Sequence, residues 1–223
     1  MTATTPKNKT ALLFGATGMV GGFVLNELLH SEIYAKVIAF TRRPLSISHS
    51  KLENPIIDFE KLPNYSHLIK GDDLFLCLGT TMKKAGSKDA FKKVDFDYPY
   101  QVAKMAETNR VQQVLLCSAV DANVHSMIFY NQVKGHLEDE LKNMNFTALQ
   151  IFQPSLLLGE RNEIRSAESF SIKVSRALDG IIGNFMGKYR PIEAEKVAVA
   201  MVKNALIPQK GTIIHASDEM KKY

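Results

Sequence analysis

A chain of 223 residues is long enough for one α/β domain with a sizeable core and too short for two full domains. Its composition, 45% hydrophobic and 23% charged, argues against a disordered or fibrous protein. The net charge of +5 raises nucleic acid as a partner, but the lysines are scattered and lack interleaved aromatic residues, so a nucleic-acid-binding module is not expected.

The apolar runs are far shorter than the roughly 20 residues that cross a bilayer, so no membrane association is expected. No apolar secretion signal follows the polar opening MTATTPKNKT, and we expect a cytoplasmic protein. Cys77 and Cys117 are too few and too far apart for a metal motif, so no metal site is expected. Both lie near the ends of predicted buried strands, where a cysteine behaves as a small apolar residue.

Residues 10–29, TALLFGATGMVGGFVLNELL, combine a strand, a glycine turn and a helix. The apolar run 11–14 is typical of a strand buried on both faces. Gly15, Gly18 and Gly21 follow, and an apolar helical pattern continues after them. In a dinucleotide-binding element such glycines allow a tight turn and close approach of a pyrophosphate, which the helix N-terminus then faces. An ordinary tight turn between strand and helix is the alternative.

A second buried strand is predicted at residues 36–40 and ends in Thr41-Arg42-Arg43-Pro44. An acidic residue after this strand would bind the adenosine ribose hydroxyls and select NAD, whereas arginine suits a 2′-phosphate and selects NADP. Because no Asp or Glu stands here, Arg42 and Arg43 favour NADP. The alternative is a solvent-exposed basic turn.

Two further strands are predicted at residues 55–59 and 74–78, and the second stops at Gly79-Thr80-Thr81. Ligands of an open parallel sheet bind beyond the carboxyl ends of its strands, so we expect Leu78, Gly79 and Thr80 near the cofactor. A dense set of lysines follows, which either serves a phosphorylated cofactor or forms a solvated helix face: Lys83, Lys84, Lys88, Lys92 and Lys93.

The rest of the chain continues the alternation, with helices predicted at residues 91–109, 130–144, 167–178 and 193–206, and strands at 111–118, 147–152 and 211–215. Strands that alternate with helices throughout predict an α/β fold with a doubly wound parallel sheet, a Rossmann fold, and a small C-terminal extension. The chain shows no linker or repeat. We predict a single domain over residues 1–223, in which residues 155–223 contribute a small region for a substrate or partner.

Ser118, Tyr130 and Lys134 form the second informative set. A tyrosine and a lysine four apart on a helix share one face, and a nearby ammonium lowers a tyrosine pKa from its reference near ~10. Tyr130 is therefore a candidate general acid for carbonyl reduction, Ser118 a ligand of the same substrate oxygen, and Lys134 a ligand of the nicotinamide ribose. A second pair, Tyr100 and Lys104, has no serine-bearing strand before it and is assigned to packing or surface.

The motifs GATGMVG, TRR, CLGTTMKKAGS, YNQVKG and QPSLLLGERNEIR together resemble the short-chain dehydrogenase/reductase superfamily. More narrowly, they are similar to its atypical branch that includes the Tat-interacting protein oxidoreductases, and the resemblance covers most of the chain. It implies NADPH bound by the glycine and arginine turns, at Gly15, Thr17, Gly18, Met19, Val20, Gly21, Arg42 and Arg43. It also implies cofactor contacts from the Gly79-Thr80 edge, from Tyr130 and Lys134, and from Pro154, Ser155 and Leu156.

Three features depart from this family. Where the family commonly has a pair of serines after the fifth strand, this chain has Ser118-Ala119. Where related reductases often have an Asn near the start of the helix before that strand, this chain has Asp95, which weakens the case for a proton relay. The chain is also short after the sixth strand, where larger members build a substrate domain. Four charged residues lie in this part of the chain: Glu160, Arg161, Glu163 and Arg165. They are expected either to bind a polar substrate or partner or to form a salt-linked surface loop.

Two functions follow from the sequence. The first is an NADPH-dependent oxidoreductase that reduces a small carbonyl substrate by hydride transfer with a Ser-Tyr-Lys site. The alternative is a non-catalytic NADPH-binding regulator or sensor that acts on a protein partner. The complete Ser-Tyr-Lys set favours the enzyme, and the small C-terminal region favours the regulator. The sequence indicates no substrate identity and no oligomeric state.

Overall fold

A parallel sheet runs through the centre of the structure, a computed structural model that describes residues 8–158, 187–207 and 209–223. The strands among these residues are β1 Lys9–Phe14, β2 Tyr34–Phe40, β3 Leu52–Glu53, β4 Asp73–Leu76, β5 Gln113–Cys117, β6 Ala148–Gln153, β7 Leu157–Leu158, β8 Ile192–Glu193 and β9 Gly211–Ala216. The α-helices are α1 Met19–His30, α2 Met82–Ala85, α3 Lys88–Lys92, α4 Tyr98–Thr108, α5 Phe129–Lys142, α6 Ala194–Ala205 and α7 Ser217–Met220.

The strand order of the main sheet is β3-β2-β1-β4-β5-β6-β9, and every neighbouring pair is parallel. From β1 the chain runs outward to β2 and β3, then returns to β4 on the other side of β1. The direction of winding therefore switches between β1 and β4, where open α/β sheets bind their ligands. The predicted doubly wound α/β fold is confirmed.

Both faces of the sheet are covered by helices, and this explains the unbroken apolar strands. Leu13 of β1 packs in the core formed with α1 and α6, whereas Leu12 and Phe14 pack in the core formed with α4 and α5. On α1 the buried residues include Val24 and Leu28, which recur at helical spacing. The sequence pattern thus specifies both layers around β1.

The C-terminal part of the chain completes the sheet. The edge strand β9 pairs with β6 from Gly211 opposite Ala148 to Ala216 opposite Gln153. Met201 of α6 lies in the same buried cluster as Leu28 of α1, so the two helices share one core.

The third strand differs from the prediction. Strand β3 is Leu52–Glu53, and beyond it only an isolated bridge between Thr41 and Ile56 continues the pairing. Pro55 has no N–H to donate, so a regular ladder cannot pass through it. Asn54 replaces the missing ladder bonds, because its side-chain amide donates to the Ala39 carbonyl at 2.6 Å and to the Thr41 hydroxyl at 2.8 Å.

The helix predicted at residues 91–109 is divided into three parts. Between α3 and α4 lies a π-helical turn, Lys93–Asp97, and Pro99 stands in the first turn of α4, where its missing N–H costs little. A 3₁₀ segment, Phe59–Leu68, covers the α4 side of the sheet. The π turn is the part that bears on the site, because it carries the buried Asp95.

Some sequence predictions lie outside the described residues. These are the helix at residues 167–178 and the charged group of Glu160, Arg161, Glu163 and Arg165. Within the described residues, none of the helices has the length and apolar character that crossing a membrane requires.

Candidate functional site

The glycine turn brings the start of α1 directly against the end of β4. Gly15 has a φ of +97°, and a Cβ there would lie 2.3 Å from the Cys77 carbonyl oxygen. A Cβ on Gly21 would lie 2.0 Å from the carbonyl oxygen of Gly15. Both positions therefore require glycine, because any side chain would push the helix away from the sheet.

The N-terminus of α1 is left uncapped by side chains. Gly18 is its N-cap residue, no side chain caps it, and no acidic residue lies in the first turn. The first amides of a helix have no partner within the helix, so this end suits the negative charge of a pyrophosphate. Thr17 and Gly18 are exposed, whereas the Val20 side chain is buried in the core and leaves only its backbone to face a ligand.

Arg42 and Arg43 lie in a fixed turn after β2, and both side chains are exposed. The Thr41 hydroxyl donates to the Arg43 carbonyl at 2.7 Å and accepts from Asn54 at 2.8 Å. These bonds hold the backbone while the guanidinium groups face solvent, an arrangement that is open to a phosphate.

The residues after β4 meet α5 at the same edge of the sheet. The Thr80 N–H donates to the Asp95 carboxylate at 2.8 Å. A Cβ on Gly79 would lie 3.3 Å from Asp95 Oδ1 and 3.7 Å from Lys134 Nζ. The structure therefore brings the predicted Gly79-Thr80 edge next to the predicted Lys134, with Leu78 half-buried beside them.

Lys134 forms an ion pair with Asp95. Nζ of Lys134 lies 2.8 Å from Oδ1 of Asp95, and the two side chains are only 5% and 1% exposed. Burial alone would lower the pKa of Lys134, but the Asp95 charge and smaller effects of Tyr130 outweigh it and raise that pKa above its ordinary value. Lys134 is therefore a permanent ammonium whose charge is matched by a neighbouring carboxylate.

Tyr130 is half-buried, and its ring packs on Phe91 with the ring centroids 5.6 Å apart. Burial raises the pKa of Tyr130; Lys134 lowers it, as the sequence predicted, but Asp95 and Cys117 raise it again, and the net shift is upward. The expectation of a lowered Tyr130 pKa is wrong, because it ignored desolvation and the counter-ion of Lys134. Tyr130 remains a phenol at neutral pH and can donate a proton.

Ser118 is placed differently from its predicted role. It is buried, and its hydroxyl donates a hydrogen bond of 2.5 Å to the Glu138 carboxyl group. Glu138 also accepts from the Gln153 side chain at 3.0 Å, and burial raises the Glu138 pKa despite these two donors. A substrate oxygen would reach the Ser118 hydroxyl only if this bond were exchanged.

The three residues after β6 all form hydrogen bonds, and they differ in the exposure of their side chains. The Ser155 hydroxyl donates to the Arg190 carbonyl and accepts from the Ser217 hydroxyl, so it ties the C-terminal part to β6. The Pro154 carbonyl accepts from the Val120 N–H at 2.9 Å. The Leu156 carbonyl accepts from the Ile192 N–H at 3.0 Å, but its side chain is exposed and can contact a ligand.

Cys77 and Cys117 directly follow positions 76 and 116, which are partners in the β4–β5 register, and both belong to the periphery of the α1–α6 core. Burial raises the pKa of Cys117 to about 11 and also raises that of Cys77. Both groups are thiols rather than thiolates at neutral pH, which is typical of structural cysteines.

The roles of two acidic residues, Asp95 and Glu138, were not predicted from the sequence. Asp95 was noted only as a departure from a family pattern, although a lysine on a buried helix face requires a counter-ion. Glu138 lies four residues after Lys134 and next to the buried Leu137, so it shares the inward face of α5. A carboxylate on the buried face of a helix is a sequence signal that predicts such a role for Glu138, since carboxylates are rarely buried without a partner.

Comparison with known proteins agrees with this geometry. Residues 15–155 match the model of a family described as NAD(P)H-binding. The chain belongs to this family. It is 32% identical to Protein HTATIP2 of Rattus norvegicus over 209 residues, which are 92% of this chain and 84% of that protein. It is 33% identical to Protein FMP52-1, mitochondrial, of Scheffersomyces stipitis over 206 residues, 88% of each chain.

Solved structures show the same fold. The Bordetella bronchiseptica enzyme WbmH, in complex with NAD+, aligns with a TM-score of 0.70 and 14% identity, over 94% of this chain and 76% of that one. Together with the HTATIP2 relative, this confirms the resemblance to the short-chain dehydrogenase/reductase superfamily and its Tat-interacting protein branch. The chain is an NAD(P)-binding protein of an oxidoreductase-like family, and the glycine turn and uncapped α1 fit such a dinucleotide.

The expectation of a cytoplasmic location is contradicted by these relatives. Protein FMP52-1 and the FMP52 proteins of Candida albicans and Meyerozyma guilliermondii are named as mitochondrial. The prediction depended on the absence of an apolar secretion signal, which bears on secretion alone. Mitochondrial transit peptides are amphipathic and basic, so that criterion does not detect them.

Proposed function

We propose that this protein is an NADPH-dependent oxidoreductase that reduces a small carbonyl compound, with Tyr130 as the proton donor. The observation that supports the proposal is that Lys134, four residues after Tyr130 on α5, is buried beside the Gly79-Thr80 edge, where a Cβ on Gly79 would lie 3.7 Å from its Nζ. Cofactors of open α/β sheets bind at this edge, so both groups would lie beside the nicotinamide end.

NADPH, when bound, supplies the hydride that reduces the carbonyl carbon. The protein's own contribution is the proton. Tyr130 donates its phenolic proton to the carbonyl oxygen, so that the carbonyl becomes an alcohol and Tyr130 becomes a phenolate. Lys134 stabilises that phenolate by its charge and is available to bind a ribose hydroxyl, while the packing of Phe91 on the Tyr130 ring fixes the donor.

The arginine turn supports NADPH rather than NADH. Arg42 and Arg43 present two exposed guanidinium groups after β2, where an NAD-selective sheet carries an acidic residue. A 2′-phosphate would form charge-assisted hydrogen bonds with them. NADH lacks this phosphate and would bind less tightly.

A non-catalytic NADPH-binding regulator is the second candidate, and one observation favours it. The Ser118 hydroxyl, which a reductase would use on the substrate oxygen, is engaged by Glu138. A regulator needs the cofactor site alone and would tolerate this arrangement.

One experiment separates the two candidates. The purified protein is titrated with NADPH and with NADH by fluorescence, and NADPH consumption is then followed with a panel of aldehydes and ketones. A reductase binds NADPH more tightly and consumes it with at least one carbonyl compound. Tight NADPH binding with no turnover on any compound would contradict the reductase and support the regulator.

A further inference from the structure

Asp95 lies where the Gly79-Thr80 edge and α5 meet. It is carried by the π-helical turn Lys93–Asp97, a rare form of helix that often occurs at functional sites. One oxygen accepts the Thr80 N–H at 2.8 Å, and the other lies 2.8 Å from Lys134 Nζ. A single buried carboxylate thus binds one group from the strand edge and one from α5.

A neutral amide could not replace this carboxylate fully. An asparagine offers one acceptor oxygen, which could still accept from the Thr80 N–H as one oxygen of Asp95 does. The other oxygen of Asp95 forms an ion pair with Lys134 and accepts no hydrogen bond from the described residues. With an asparagine, the buried Lys134 ammonium would lose its counter-ion, which explains why an acid, rather than an amide, stands at this position.

The charged and titratable groups around Tyr130 come from three elements. Lys134 lies on the same helix, Asp95 on the π turn and Cys117 at the end of β5. Lys134 is the group that favours a phenolate, and Asp95 opposes it. Burial contributes most to the raised pKa of Tyr130, and because Cys117 is a neutral thiol at neutral pH, the charges that act on Tyr130 there are those of the Lys134–Asp95 pair.

We propose that Asp95 is a positioning residue that fixes the Lys134 ammonium against the Thr80 edge and limits how strongly Lys134 stabilises a Tyr130 phenolate. This inference rests on the proposed reductase function of Tyr130. Its chemical consequence concerns the strength of the proton donor. A phenol with a higher pKa is a weaker acid, so Asp95 keeps Tyr130 protonated and moderates the proton donation that the Lys134 charge promotes.

The test measures Tyr130 directly, without cofactor or substrate. Tyrosine is labelled with carbon-13, the Tyr130 signal is assigned from its loss in Tyr130→Phe, and its pH titration is followed by NMR. In Asp95→Asn we expect Tyr130 to ionise at a pH lower by roughly one unit or more, because the opposing charge is gone. Asp97→Asn removes the same charge from the same turn and should leave the Tyr130 titration unchanged.

Two results would overturn the proposal. One is an unchanged Tyr130 titration in Asp95→Asn, and the other is an equal shift in Asp97→Asn, which would indicate a general charge effect. If Asp95→Asn does not fold, Asp95→Ser removes the same charge with a smaller side chain, and the same downward shift is expected. Because no turnover is measured, the proposal can fail or hold independently of whether the protein is a reductase.

Discussion

The hydroxyl of Ser118 donates a hydrogen bond of 2.5 Å to the buried carboxyl group of Glu138. This bond joins the end of β5 to the inward face of α5, the two elements that carry the candidate catalytic residues. Glu138 is 2% exposed and is further held by Gln153. The serine that the sequence assigns to substrate binding thus also supports the packing of the site.

Ser118→Ala should therefore lower stability and make it more dependent on pH. Burial raises the pKa of Glu138 in the folded protein above its value in the unfolded chain. Protonation of Glu138 therefore stabilises the folded state at acidic pH, and this contribution is lost as the pH rises through the folded-state pKa. Losing the Ser118 donor should cost about 1.5–3 kcal/mol where Glu138 is ionised and about 1 kcal/mol where it is protonated. Chemical denaturation at neutral and mildly acidic pH measures both values.

The exposed Ser46 provides the matched control. Ser46→Ala should leave the free energy of unfolding unchanged at both pH values. An equal loss for Ser118→Ala at neutral and acidic pH would show that the Glu138 charge is not involved.

Lys134→Met should be strongly destabilising because it leaves the Asp95 carboxylate buried without its cation. Breaking one partner of a buried ion pair costs about 3–5 kcal/mol. The double variant Lys134→Met with Asp95→Asn removes both charges and should regain most of that loss, a coupling that a double-mutant cycle measures by denaturation. If the double variant lost the sum of the two single effects, the ion pair would not be the cause.

Gly15→Ala should disrupt both the fold of the turn and cofactor binding. Its positive φ costs about 1–2 kcal/mol for alanine, and the clash with the Cys77 carbonyl adds roughly 1–3 kcal/mol or more. Gly86 has a φ of +79°, but nothing lies within 4 Å of the position that a Cβ would take there. Gly86→Ala should therefore show the φ cost alone and keep NADPH binding, which calorimetry and denaturation together check.

Arg42→Ala with Arg43→Ala should weaken NADPH binding and leave NADH binding unchanged. Losing charge-assisted hydrogen bonds to a 2′-phosphate costs about 1.5–3 kcal/mol, or roughly 10- to 100-fold in Kd. Titration of the double variant with both cofactors provides its own control, because NADH has no 2′-phosphate. Equal weakening for the two cofactors would contradict the assignment of the arginine turn.

The layers of the fold could be predicted because each strand and helix carries a strong local pattern. The apolar run of β1 and the glycines after it are one such pattern, and the structure has β1 and α1 where the sequence predicted them. The prediction of a strand at residues 55–59 was wrong because Pro55 interrupts the hydrogen-bond ladder. That prediction was based on the apolar residues alone and did not consider the proline. The prediction of one continuous helix at residues 91–109 was also wrong, because a π turn differs from an α-helix only by a local widening that the sequence pattern does not show.

The charges of the site could not be predicted in the same way. The spacing of Tyr130 and Lys134 predicts that they share a helix face, but not that Asp95 comes from another element to pair with Lys134. The net pKa shift of Tyr130 depends on burial and on that distant carboxylate. Both are tertiary properties, and no window of sequence contains them.

Tyr130→Phe tests the central claim, that the Tyr130 phenol donates the proton in carbonyl reduction. Tyr100→Phe is the matched control, because Tyr100 also lies four residues before a lysine, yet it belongs to α4 and its ring stacks on Phe96. The measurement is the rate of NADPH consumption, at saturating NADPH, with a carbonyl compound that the wild-type protein reduces. We expect Tyr130→Phe to lose about 10²- to 10⁴-fold in kcat with an unchanged Kd for NADPH, and Tyr100→Phe to retain wild-type turnover. Wild-type turnover in Tyr130→Phe would contradict the account.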